Sequence, residues 1–262
     1  MFRIRLAAVC ATAAIAVTAC SSSPAPHSSS GPAASGATHP SAAATTRQTA
    51  LACAGLVPFD QSVLTYPCGG GSGGTPSAAQ LRSWAATTAP RLQMLAANVP
   101  VSLDPDAATV HAMLTTISNG TPVDPTRAQY AALTSFDQWG HAACGFTRLD
   151  ITNTATGLTG VPPALPAGTA SVSFTNRAPA AKAGFILLVG RVRPGAQYTL
   201  AAIRANKVGL TTIADIIVAA QPDGDRPAYA TVRLTPGDYV VTSPLGSPPN
   251  FSGIAASEFH VR

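Results

Sequence analysis

Five cysteines, five histidines and eleven carboxylates hold most of the chemistry open to this 262-residue chain, and their spacing brings few of them together. A Cys/His metal site using His141 and Cys144 would need two further ligands that the sequence does not supply, so a disulfide is the expected use of Cys144. His27 and His39 each stand alone in a Ser/Ala/Pro-rich tract. The acidic residues are dispersed. Asp104 and Asp124 read as helix caps, Asp223 and Asp225 as turn residues, and Asp238 follows a Pro-Gly turn, so only folding could assemble a carboxylate pair for acid–base work. There is no Gly-x-Ser-x-Gly elbow, no His-Glu-x-x-His and no phosphate loop. Gly69 to Gly74 is glycine-rich but precedes no Lys-Ser/Thr, and it reads as a flexible loop. No catalytic residue is assigned and an enzyme is not expected. Arg191 and Arg193 alternate about Val192 and would share one strand face, a solvated face or an anionic contact site.

The elements around these residues begin with an export signal. Residues 1–20 open with Arg3 and Arg5, continue with an apolar run from Leu6 to Val17 too short to span a bilayer, and end Val17-Thr18-Ala19-Cys20. That ending resembles the lipobox of bacterial lipoproteins of the actinobacterial type. The resemblance implies that Cys20 is diacylated, becomes the new N-terminus and anchors the chain to the outer face of the cell membrane. Residues 21–49 are nearly all Ser, Ala, Pro, Gly and Thr, too poor in large apolar residues to offset chain entropy. They read as a disordered tether. Export sets the redox compartment. With Cys10 lost in the signal and Cys20 lipidated, Cys53, Cys68 and Cys144 remain, enough for one bridge. A bridge from Cys144 back to the start of the domain closes the longest loop, which favours Cys53 with Cys144; Cys68 with Cys144 is the alternative.

Residues 50–145 carry helical periodicity. Leu81, Trp84 and Ala85 follow Pro76-Ser77, and Pro90 either kinks that helix or starts another. Val110, Met113, Leu114 and Ile117 follow Asp104-Pro105, and Tyr130, Leu133 and Phe136 follow Asp124-Pro125. The sum is a small bundle of three or four helices. From 146 to 262 the pattern becomes β. Runs at 148–153, 170–176, 185–192, 213–220, 228–234, 239–243 and 258–262 are rich in Val, Ile, Phe, Tyr and Thr between Pro/Gly turns. They predict a Greek-key β-sandwich, with a helical interruption at 199–207 lying across one end.

Within this part, Gly160 to Gly168, Val172-Ser-Phe-Thr-Asn176, Phe185 to Arg191, Leu234-Thr-Pro-Gly-Asp-Tyr239, and Gly253-Ile254 ahead of Glu258 to Val261 resemble the cupredoxin-like domain of bacterial exported proteins. The resemblance implies a mainly β fold with an α segment: a helical bundle followed by a cupredoxin-like sandwich. Copper-binding members use two histidines, a cysteine and a methionine, because thiolate and imidazoles hold the ion in a trigonal site with a weak axial thioether. Matched position by position, these ligands fall on Ala183, Ser243, Pro249 or Asn250, and Ile254, none of which can replace them. His260 sits in the terminal strand, away from the set. The ligand positions are vacated, and neither a metal nor another cofactor is expected.

Loss of Arg3 and Arg5 with the signal lowers the net charge from +5 to +3, too little and too scattered for nucleic-acid binding. The expected function is therefore a non-catalytic binding or interaction module facing an envelope protein or small ligand. The alternative is an electron-transfer or metal-handling protein with its site elsewhere, which copper or iron titration would separate from the first.

Overall fold

The computed structural model describes residues 42–67, 75–224, 226–248 and 250–262. The signal sequence, Cys20, residues 21–41 of the expected tether, Cys68, Asp225 and Pro249 lie outside the described residues.

Four helices come first. α1 (Ala42–Leu64) begins inside the expected tether, which corrects its boundary at residue 49. The start is alanine-rich and helix-favouring, and from Ala52 onward the helix is buried through Ala52, Leu56 and Phe59. Its residues are small and Pro58 lies within it, which hides its period. α2 (Ala78–Ala96) runs through Pro90 unbroken. Ser77 and Gln80 form a reciprocal capping box at its start, and Leu81, Trp84, Ala85, Leu92 and Leu95 line its buried face. α3 (Asp104–Ser118) buries Val110, Met113, Leu114 and Ile117 as the spacing predicts. Asp104 is not its N-cap. A 3-10 turn over Val101–Leu103 leads directly in, so Asp104 is the first helical residue and acts through its charge on the helix N-terminus. The cap of α4 (Arg127–Ala143) is likewise Thr126 rather than Asp124: proline at 125 holds Asp124 out of the helix, and Thr126 forms a capping box with Gln129. A side chain at Gly140 would collide with Leu56, so this glycine lets α1 and α4 cross closely. A disulfide between Cys53 and Cys144 ties α1 to the end of α4, the favoured one of the two candidate bridges. No helix among the described residues is long and apolar enough to cross a membrane.

The remainder is a two-sheet β-sandwich of mixed topology, the cupredoxin-like class expected. One sheet has the order β2 (Gly157–Thr159), β1 (Thr147–Thr154), β4 (Gly168–Asn176), β7 (Ala228–Leu234), with β1 and β4 parallel. The other has the order β3 (Ala164–Leu165), β9 (Asn250–Val261), β8 (Gly237–Ser247), β5 (Leu187–Val192), β6 (Ala214–Ala220). Alternate residues of both meet in the core, among them Leu149, Ile151, Val172, Phe174, Leu187, Val189, Tyr239, Val241, Phe259 and Val261. Tyr239 stacks on Phe259 with ring centroids 5.0 Å apart, and its hydroxyl bonds Thr235 at the amide (3.0 Å) and the carbonyl (2.7 Å).

Each sheet carries helices on its outer face. The interruption at 199–207 holds α5 (Leu200–Arg204), followed by α6 (Leu210–Ile213), and they cover a face of the sandwich rather than an end. Val240 and Ala256 are apolar positions pointing out of the five-stranded sheet. Ile203, Leu210 and Ile213 bury them, and Arg204 donates to the Ala256 carbonyl at 2.8 Å. The four-stranded sheet turns polar residues outward, and α1 and α4 lie over β4 and β7. That buried polar layer is where the site forms.

Candidate functional site

Of the vacated copper positions, Ser243, Asn250 and Ile254 lie in the β8–β9 ladder rather than in a loop. β8 and β9 continue through the stretch left open between 243 and 258, with Ser243 paired to Ala255, Pro244 to Ile254 and Ser247 to Asn250. Leu245, Phe251 and Ile254 supply apolar residues that extend the ladder, so the hairpin is longer than its alternating ends indicate. Ala183 ends a 3-10 turn, and its carbonyl accepts from the Gly246 amide at 2.7 Å. The ligand space itself is filled. Asn176 accepts from the Gly184 amide (2.7 Å) and donates to its carbonyl (2.8 Å), while Asn153 donates to the Lys182 carbonyl at 2.8 Å. A side chain at Gly184 would collide with the Ser243 hydroxyl and press within 2.7 Å of the Phe174 ring. Among the described residues no three His, Cys, Asp or Glu converge on a point that could hold a metal.

The arginine pair is likewise used internally. Arg191 donates to the Pro236 carbonyl at 2.9 Å. Arg193 lies just past the end of β5, pairs with Asp215 at 2.7 Å, and donates to the carbonyls of Thr211, Thr212 and Ala214 at the end of α6. Both serve as ties between elements, and an anionic contact site here is not supported. His260 pairs with Asp238 across the β8–β9 ladder at 2.8 Å.

Under α1 and α4 the structure assembles what the sequence leaves scattered. Thr231, on the outer side of β7, bridges two carboxyls: its amide donates to Asp60 Oδ2 and its hydroxyl to Asp137 Oδ1, both at 2.6 Å. Asp60 and Asp137 also hydrogen-bond each other. Asp137 is 4% exposed. Burial pushes its pKa up to about 6, against the hydrogen bonds from Thr231 and Asp60, which lower it. Burial, then the charge of Asp137, raises Asp60 well above the ordinary carboxylate range. Near neutral pH Asp137 therefore carries charge, beside an Asp60 carboxyl that holds its proton more tightly than a free aspartate does, and the two titrate as a pair.

Beside it, Ser171 and His141 continue the polar layer. His141 Nδ1 lies 2.9 Å from the Ser171 hydroxyl and Nε2 lies 3.3 Å from Asp150 Oδ1. Serine, histidine and aspartate in contact suggest a nucleophile, but Ser171 has no exposed surface, so no substrate can reach its oxygen. Burial lowers the pKa of His141, with Asp150 opposing. His141 satisfies the buried Ser171 hydroxyl, and Asp150 meets the imidazole from the exposed side. Cys144, oxidised in the disulfide, is not available as a thiolate beside it.

A cavity of about 210 Å³ opens against the carboxyl pair, between the helices and the neighbouring edges of β6 and β7. Trp84, Met113, Ile117 and Leu133 wall it from the helices, and Ile186 and Ile217 from the sandwich. Tyr66, Tyr130 and Tyr229, each partly exposed, stand around it. Trp84 is fixed by its indole N–H donating to the Ser62 carbonyl at 2.7 Å and by an edge contact with Tyr66. At the β6 end, Gln221 Oε1 is buried with no hydrogen-bond partner. A proton-sharing carboxyl pair can serve general acid–base chemistry. Here the two acids are bridged by the amide and hydroxyl of Thr231.

Sequence reasoning missed this site because its parts lie between residues 60 and 230. One signal was available: Asp137 falls on the apolar stripe of α4, one residue after Phe136 and four after Leu133, where a charge is expensive without a partner.

No protein-family model matches the chain, and no curated protein matches it. Among solved structures, auracyanin A, a "blue" copper protein from the green thermophilic photosynthetic bacterium Chloroflexus aurantiacus, aligns over 45% of this chain and 100% of its own. The identity is 14% and the TM-score 0.29. The fold class stands on the strand order of the two sheets themselves, a two-sheet β-sandwich of mixed topology behind a helical segment.

Proposed function

We propose that this protein is an exported lipoprotein, anchored to the outer face of the cell membrane through Cys20, whose helical segment and metal-free sandwich together form a non-catalytic binding module for a small, mostly apolar molecule. The cavity carries the reading. It is walled by apolar and aromatic side chains from both halves of the chain and interrupted by few polar groups, the character of a ligand site rather than of a packing fault. The sandwich supplies one wall of this cavity through Ile186 and Ile217.

The test is saturable binding of a neutral probe. 2-Phenylethanol is expected to quench or shift Trp84 fluorescence at a single site, and Thr134→Phe, which fills the cavity from α4, is expected to weaken that binding at least about tenfold with little change in thermal stability. Binding that survives the filled cavity would overturn this site. The anchor has its own check: a Cys20→Ala chain is expected to leave the membrane fraction, and full retention there would overturn the lipid attachment.

A further inference from the structure

We infer that the cavity between the helices and the β6–β7 edge selects a small organic ammonium, an aromatic ring or short alkyl chain carrying one protonated amine. This rests on the reading of the cavity as a ligand site and adds the chemistry of its occupant. Three observations converge on that chemistry.

The charge comes first. The wall contains Asp60 and Asp137, and no Lys, Arg or His among the described residues lines the cavity. Thr231 donates to one oxygen of each acid and the two acids bond each other, but an ionised Asp137 offers about four acceptor sites, so acceptor capacity remains beside the cavity that it lines. The second observation is independent of the acids. Gln221 Oε1, across the cavity on the sandwich, is a buried acceptor with nothing donating to it. A buried acceptor without a donor costs free energy, and an ammonium brings three donors where the wall supplies two kinds of acceptor. An anion would meet the Asp137 charge, and a neutral hydrocarbon would leave Gln221 unsatisfied.

The third observation is shape and surface. Trp84, Tyr66, Tyr130 and Tyr229 surround the cavity, and aromatic faces attract a cation most strongly where water is excluded. A dry cavity of ~150 Å³ accommodates a benzene ring. One of about 210 Å³ takes a ring and a short aminoalkyl arm, and it is smaller than the sites that hold drug-sized ligands.

The experiment compares 2-phenylethylamine, 2-phenylethanol and phenylacetate, matched in size and differing in charge, by calorimetric titration of the full chain near neutral pH. The amine is expected to bind at least about tenfold more tightly than the alcohol, with phenylacetate weakest. Asp137→Asn, nearly the same shape, is expected to erase the preference for the amine while leaving the alcohol bound; Asp60→Asn serves as the second variant if Asp137→Asn melts early. Alcohol binding equal to or tighter than the amine would overturn the ammonium while the ligand site stands. Failure of all three probes to saturate would overturn both. A preference for the amine that survives Asp137→Asn and Asp60→Asn would overturn the role given to the carboxyl pair.

Discussion

Removing the Cys53–Cys144 bridge is expected to cost the folded chain about 3–5 kcal/mol. The two cysteines are 91 residues apart, so the bridge removes a large share of the freedom of the unfolded chain. It also has a local task. α1 shows no clear apolar period, with Pro58 inside it and small residues on its buried face, and its hold on the rest comes from packing on α2, α4 and β7. The disulfide pins α1 beside the Leu56–Gly140 crossing, and seven residues further along the helix α1 delivers Asp60 to Thr231. Cys53→Ala combined with Cys144→Ala, or reduction of the native chain, should lower the melting temperature by roughly 10 °C. Circular dichroism with and without reductant measures it, and Cys68→Ala is the control expected to keep both bridge and stability. Equal melting of the reduced and oxidised chain would show that α1 is held by packing alone.

The β half of the fold was legible in the sequence because strands announce themselves by alternation and by the Pro/Gly turns between them. Runs such as 170–176 and 228–234 are β4 and β7 to within two residues. α2 and α3 were legible for the same reason, their large apolar residues recurring at helical spacing. α1 was not, since Ala52 and Gly55 bury without declaring a period. The caps of α3 and α4 were misplaced by one or two residues because Asp-Pro reads as a start signal, whereas Thr126 with Gln129 makes two reciprocal bonds. The hairpin's outer half was invisible: Pro244, Gly246 and Gly253 read as loop residues, yet they pair across the ladder as far as Ser247 and Asn250. The candidate site was the least legible part. Nothing in the local sequence joins Asp60 to Asp137 and Thr231, and the contact exists only because two helices cover a sheet face that carries hydroxyls.

Raising pH is expected to destabilise this fold from mildly acidic conditions upward, and Asp137→Asn is expected to reverse much of that loss. The sign follows from the direction of the shifts. Asp60 and Asp137 both hold protons more tightly folded than unfolded, so between about pH 4, where an unfolded aspartate ionises, and the folded values, the native state binds more protons. Stability therefore falls as pH rises through that window, fully so above the folded values. For Asp137, moved to about 6, the loss is on the order of 3 kcal/mol, and Asp60 adds to it in the same direction. An asparagine at 137 keeps an acceptor for the Thr231 hydroxyl and removes the buried charge, so denaturant unfolding at mildly alkaline pH should show it more stable than the native chain by about 1–3 kcal/mol. Asp137→Leu should instead destabilise, because it leaves the buried Thr231 hydroxyl without a partner. If stability is flat across this range and unchanged in Asp137→Asn, the carboxyl pair does not titrate as a buried unit. The same substitution is the one expected to abolish selection for an ammonium. Stability and binding then pull against each other at one side chain, and a cation seated in the cavity would return to the folded state what the buried charge takes from it.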